Sequence, residues 1–226
     1  MKIRCLSCGA EWTPPISYTS NKCPFCESVE LQSDETFEIC WRSSLCAIKS
    51  SLKGFITPFI YTSAMHFSEG LAAVKFKGKW GYVNMNGEEV IPEKYDDAKP
   101  FCCGLAGVQL NNQWGFIDTS GKQIIPFKYD DVSDFFDRFA NFELNEKYGM
   151  IDKLGNEILD AKYDDISVIS DGLILVQNEM KYGYIDETGK IILPLIYDDA
   201  DLFISGIALV VLDGNKGHID KMGNWV

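Results

Sequence analysis

From residue 71 onward, short apolar runs alternate with turn residues at a steady interval, and no helical period appears. Leu71-Ala-Ala-Val-Lys-Phe76 reads as a strand, Lys77-Gly78 as a turn, and Trp80-Gly-Tyr-Val-Asn84 as the returning strand. Asn86-Gly87 has the composition of a type I′ hairpin turn, which needs positive φ at both central residues. Glu88-Glu-Val-Ile-Pro92 follows as a further strand, and a proline there requires a sheet edge or a strand end. Tyr95-Asp-Asp then leads into a connecting segment that ends at Phe101. The pattern predicts three or four short strands per unit and no helix of note.

The same unit returns every 34 residues. Trp80-Gly81, Trp114-Gly115, Tyr148-Gly149 and Tyr182-Gly183 keep this step, and Lys216-Gly217 continues it without the aromatic. Tyr61, Tyr95, Tyr129, Tyr163 and Tyr197 align, as do Pro58, Pro92, Pro126 and Pro194, with Asp160 the exception. Phe67, Phe101, Phe135 and Phe203 form a third column, which Ile169 completes. Gly70, Gly104, Gly172 and Gly206 form a fourth, with Arg138 in place of one glycine. Four copies carry Tyr-Asp-Asp intact, beginning at Tyr95, Tyr129, Tyr163 and Tyr197. Carried backwards, the ruler exposes a worn copy with Cys46-Ala47 where the aromatic and glycine belong. The units are about 34–67, 68–101, 102–135, 136–169, 170–203 and 204–226. Atypical first and last copies are usual for repeat arrays.

The stretch Gly70-Leu-Ala-Ala-Val, Lys79-Trp-Gly-Tyr-Val83, Gly87, Val90-Ile-Pro92 and Tyr95-Asp-Asp97, with its copies, resembles the WG-repeat (KWG) family. The resemblance covers nearly everything from residue 34 onward. It implies a bacterial-type β-repeat protein that binds other proteins, and it supplies no catalytic residues. Tyr148 and Tyr182 in place of tryptophan, and Lys216 and Cys46 in place of any aromatic, are departures from its pattern. The expected fold is all-β, a tandem array of 34-residue β-meanders over residues 31–226. The array is propeller-like or an open β-solenoid.

The first thirty residues read differently. Cys5-x-x-Cys8 and Cys23-x-x-Cys26 are 14 residues apart, the pattern of a four-thiolate tetrahedral Zn²⁺ site. Cys8-Gly9 allows positive φ after the second ligand, and Pro24 stiffens the second pair. So short a segment cannot fold on its own apolar burial, so the metal would supply the folding free energy. Residues 1–30 are therefore expected to be a zinc ribbon with Cys5, Cys8, Cys23 and Cys26 as ligands of one structural Zn²⁺. Four thiolates leave no open position for catalytic water. The remaining cysteines, Cys40, Cys46, Cys102 and Cys103, have no metal spacing and read as buried thiols.

Composition narrows function more than fold. Apolar residues make up 46% and charged residues 24% of the chain, and no run approaches the roughly 20 apolar residues of a membrane helix. Without an apolar N-terminal stretch, the chain is expected to be cytoplasmic and free of membranes. A formal charge of −12 disfavours nucleic acid, whose binding rests on Lys and Arg contacts. It suits docking to a basic protein surface. The Asp pairs could suggest Ca²⁺, but one adjacent pair per unit converges on nothing, and turn capping is the plainer reading. The column Trp80, Trp114, Tyr148, Tyr182 could stack sugars or quaternary amines, but core packing is the plainer reading. His66 and His218 are the chain's two histidines, both in end units and away from any nucleophile constellation, so no enzyme activity is expected. The expected function is a protein-binding scaffold. The alternatives are a nucleic-acid factor reading through the ribbon, or a carbohydrate or small-ligand binder on the aromatic column.

Overall fold

A computed structural model describes residues 3–4, 11–12, 36–42 and 44–226. All regular elements among these residues are β-strands. Ile3–Arg4 pairs antiparallel with Glu11–Trp12. Cys5, Cys8, Cys23 and Cys26 lie outside the described residues, and with them the expected zinc ribbon.

The chain divides into two compact units, residues 1–128 with 133–137, and residues 129–132 with 138–226. In the first unit, the first sheet has three strands, Phe37–Arg42, Leu45–Ser50 and Gly54–Phe55. The second has four, Ser63–Ala64, Leu71–Phe76, Lys79–Asn84 and Glu89–Tyr95. Asp97–Ala98, Leu105–Leu110, Gln113–Asp118 and Gln123–Tyr129 make the third. The second unit repeats the scheme. Its fourth sheet is Asp131–Val132, Phe139–Leu144, Lys147–Asp152 and Glu157–Tyr163. Its fifth is Asp165–Ser170, Leu173–Asn178, Lys181–Ile185 and Ile191–Tyr197. Asp199–Ala200, Ile207–Leu212 and Asn215–Asp220 form the three-stranded sixth. Every sheet is an open antiparallel meander in chain order.

Within each unit the core lies between consecutive sheets. Leu71, Ala73, Trp80, Tyr82, Ile91 and Tyr95 of the second sheet pack on Ala98, Phe101, Ala106, Val108 and Ile117. The opposite face of the same sheet turns Ala72, Val74 and Val83 onto Cys46, Ile48, Tyr61 and Phe67. The second unit forms equivalent layers between its fourth and fifth sheets and between its fifth and sixth. A central strand buried on both faces cannot alternate apolar with polar, because both sets of side chains face protein. Leu71-Ala-Ala-Val74 is accordingly a continuous buried run.

Two turn assignments change. The type I′ turn is at Lys77-Gly78, where φ is 48° and 84°, and the same pair of positive φ values recurs at Asn111-Asn112 and Glu179-Met180. At Asn86-Gly87, Gly87 has positive φ, 80°, and Asn86 does not. The loop closes through Gly87 N–H donating to the Asn84 carbonyl at 2.8 Å. Asn84 Oδ1 also accepts the N–H groups of Asn86 and Glu88, at 2.9 and 3.1 Å. That is a three-residue hairpin, in which a side chain caps the turn and glycine takes the left-handed position. Asp118, Asp152, Asp186 and Asp220 do the same job in later copies.

Pro92 lies within the edge strand Glu89–Tyr95, where its missing N–H costs no ladder bond. Pairing slips there from Tyr82–Ile91 to Trp80–Tyr95, so three outer residues face Gly81. A Cβ on Gly81 would stand 2.5 Å from the Ile91 carbonyl oxygen. The glycine of the Trp-Gly pair is therefore required by this bulge within its own sheet.

Candidate interaction surface

The aromatic column is largely core. Trp80 and Trp114 are only 6% and 7% exposed, while Tyr148 and Tyr182 are half-buried. Lys75 Nζ lies 5.5 Å from the Trp80 ring centroid, and Lys99 Nζ lies 5.0 Å from that of Trp114, so ammonium groups cover what the packing leaves of these rings. Lys216, the last member of the column, is exposed.

Both aspartates of each Tyr-Asp-Asp are occupied. Asp96 accepts from Lys79 of the sheet it leaves, and its Oδ2 accepts Asn111 N–H of the sheet it enters at 2.7 Å. Asp164 bridges Lys147 and Glu179 N–H in the same way, at 2.5 and 2.7 Å. Asp130 caps Asn145 N–H at 2.6 Å, and Asp198 pairs with Lys181 at 2.5 Å. The lysine ammonium first, then these N–H groups, hold Asp96 and Asp164 below the ordinary carboxylate range. The second aspartate bonds its neighbour's N–H, as Asp97 does with Ala98 at 2.8 Å, and is exposed. The expected turn capping is correct in kind, but the turn capped belongs to the next hairpin, 15 residues on.

Further ties link consecutive sheets. Tyr82 and Tyr184 hydroxyls donate to the carbonyls of Lys99 and Asp201, each at 2.7 Å. Burial, followed by the neighbouring Tyr95, pushes the Tyr82 phenol well up. Ser68 and Ser170 hydroxyls donate to the carbonyls of Phe101 and Phe203, at 2.5 and 2.7 Å.

What stands free is the outer strand of the fifth sheet. Its counterparts read Glu89-Val-Ile-Pro-Glu-Lys-Tyr95, Gln123-Ile-Ile-Pro-Phe-Lys-Tyr129 and Glu157-Ile-Leu-Asp-Ala-Lys-Tyr163. Here the strand is Ile191-Ile-Leu-Pro-Leu-Ile-Tyr197, with no charge. Ile191, Ile192 and Ile196 are 54%, 37% and 44% exposed, while Leu193 and Tyr197 point into the core. Edge strands usually carry charge to prevent unwanted pairing, and this one has lost the glutamate or glutamine and the lysine of its counterparts. Reading the repeats as an internal alignment is the signal that reveals it.

A model of the WG containing repeat matches residues 53–80, 80–114, 114–148, 148–182 and 182–215. The chain belongs to the WG-repeat family. No curated relative matches it. Among solved structures, it is similar to a crystal structure of a eukaryotic initiation factor, with TM-score 0.54 and 8% identity over 86% of this chain and 62% of that one. Kluyveromyces lactis Hsv2 gives TM-score 0.41 at 12% identity, covering 70% of this WG-repeat chain and 58% of Hsv2. A Bacteroides caccae protein of unknown function gives 0.31 at 12%, covering 86% and 93%. At these identities the first likeness speaks to fold alone. Among the described residues, no helix of the WG-repeat chain is long and apolar enough to cross a membrane.

Proposed function

We propose that this WG-repeat protein is a non-catalytic cytoplasmic scaffold whose partner is a protein. The observation that carries the reading is the uncharged, exposed outer strand Ile191–Tyr197, set where three other copies are polar at both ends. The formal charge of −12 favours a partner that rims an apolar contact with basic residues. Burial of Trp80 and Trp114 leaves little ring surface for a sugar, and the repeated carboxylates are engaged by backbone and lysine. Both points favour the scaffold over a ligand ladder or acid–base chemistry.

Ile191→Glu with Ile196→Lys installs residues that the second sheet already carries, so the fold should tolerate it. Capture of partners from cell extract, with and without nuclease, should show wild type holding a nuclease-resistant protein that the double variant loses. Equal capture by both would remove this strand from the function. Partners lost only with nuclease would move nucleic acid to the front.

The same reading gives Cys5, Cys8, Cys23 and Cys26 one structural Zn²⁺, supported by their spacing and by the pairing of Ile3–Arg4 with Glu11–Trp12. Bound zinc should fall from one equivalent toward none in Cys5→Ser or Cys23→Ser, and full occupancy in either would refute the four-thiolate site.

A further inference from the structure

The turns at one register of the array differ in chemistry from copy to copy, and one of them carries two thiols. Cys102-Cys103-Gly104-Leu105 closes by reciprocal backbone bonds between Cys102 and Leu105, with φ of 59° and 88° at Cys103 and Gly104. Ser68-Glu69-Gly70 and Ser170-Asp171-Gly172 stand at the same register in their own repeats. There the serine donates to the phenylalanine carbonyl one repeat on. The acid accepts the next turn's glycine N–H: Glu69 takes Gly104 at 2.9 Å, and Asp171 takes Gly206 at 2.7 Å. A thiol replaces each partner in the third repeat. Cys102 keeps the serine's bond, Sγ to Phe135 O at 3.1 Å, and Cys103 Sγ lies 3.9 Å from the same oxygen. The two sulfurs are 3.7 Å apart, and both residues are half-buried.

That separation discriminates between two chemistries. A disulfide has sulfurs about 2.05 Å apart and Cα atoms usually about 4.4–6.8 Å apart. Consecutive Cα atoms are only about 3.8 Å apart across a trans peptide. Two thiolates about 2.3 Å from one tetrahedral ion, by contrast, lie about 3.8 Å from each other. The pair therefore already has the bite of a chelate and not the geometry of a cystine. The Glu69 carboxylate, which accepts Gly104 N–H at 2.9 Å, places a negative charge beside this turn.

We propose that Cys102 and Cys103 form a two-thiol site for a soft divalent cation, separate from the four N-terminal cysteines. On binding, each thiol releases its proton to solvent, and the two resulting charges balance the ion. Among the described residues, no three metal-ligating side chains come together, so water fills the remaining positions and the ion exchanges. The ion must displace both thiol protons to bind. Affinity then rises with pH, by about a hundredfold per unit when two protons leave.

Cd²⁺ titration of the zinc-loaded full chain, followed by sulfur-to-cadmium charge-transfer absorption, tests this. Wild type should take one equivalent more than Cys103→Ser and than the Cys102→Ser/Cys103→Ser double variant. Cys102→Ser restores the serine found in sister repeats, so thermal melting confirms that the fold survives. Cys40→Ser and Cys46→Ser should retain the extra equivalent, and loss of zinc from the N-terminal cysteines registers separately in Cys5→Ser. Equal stoichiometry in wild type and the double variant, or loss of the extra equivalent in Cys40→Ser or Cys46→Ser, would overturn the assignment.

Discussion

The first and second sheets answer the same register with different residues. In the second, Trp80-Gly81 faces a seven-residue outer strand, bulged so that a Cβ at position 81 would strike backbone. In the first, the outer strand shrinks to Gly54–Phe55, paired with Lys49 and Ser50, and the register positions are Cys46 and Ala47, both fully buried. One side chain and a loop carbonyl stand in for the missing ladder. Thr57 Oγ1 accepts Ile48 N–H at 2.7 Å, and the Tyr61 carbonyl accepts Cys46 N–H at 2.8 Å. The aromatic–glycine signature thus belongs to the bulged outer strand: where that strand is short, a methyl group fits. The sixth sheet is a third case. With no full outer strand, a Cβ on Gly217 would meet the Trp225 ring at 2.8 Å, and Trp225 pairs with Ile219 by a single bridge.

The largest effect should come from removing the ring itself. Trp80→Ala is expected to cost about 3–5 kcal/mol, as for large core aromatics, whereas Cys46→Ala should cost clearly less. Urea denaturation of both variants measures the gap, and equal losses would erase the distinction between complete and worn copies. Gly81→Ala should cost about 1–3 kcal/mol as overpacking against backbone. Ala47→Gly, the reverse exchange in the first sheet, should cost only about 0.5–1 kcal/mol from chain entropy. A Gly81→Ala protein that melts with wild type would show that the bulge relaxes freely.

The smallest effect concerns acid. Asp96, Asp164 and Asp198 titrate below their unfolded value, with the lysine hydrogen bond the leading cause in each. Carboxyls depressed in the folded state contribute stability above the unfolded pKa, and that contribution disappears as pH falls through the folded one. Stability should therefore drop as pH falls below about 4. The triple Asp→Asn variant should show a shallower drop, read from melting temperature against pH. Superimposable acid profiles would mean that these exposed ties add nothing.

Strands such as Leu71–Phe76 and Lys79–Asn84 were legible because two-sided burial writes an unbroken apolar run between turn residues. The edge strand was read only to Pro92, because a proline looks like an ending unless the strand is known to lack an outside neighbour. Asn86-Gly87 misled because its composition fits a two-residue turn, while the deciding group, the Asn84 carboxamide, lies outside it. Local rules could say that the Asp pair caps something but not what, since the partners of Asp96 lie 17 residues back and 15 ahead. The apolar strand at Ile191 was visible only by setting its copies side by side. The thiol pair needed a distance, which spacing does not supply.

The aspartate ties also bear on how such a protein can change its length. Asp96, Asp164 and Asp198 each reach back to a lysine in the copy they leave, Asp96, Asp130 and Asp164 each reach forward to an amide in the copy they enter, and none of these ties looks further. Inserting or excising 34 residues in register leaves each remaining carboxylate beside the same neighbouring positions, and Asp130, which faces Gln113 and not a lysine, shows that the tie tolerates its loss. Copy number is therefore a quantity that duplication and deletion can vary in whole steps, while each individual copy, like the one bearing Ile191 or the one bearing Cys102 and Cys103, remains free to specialise.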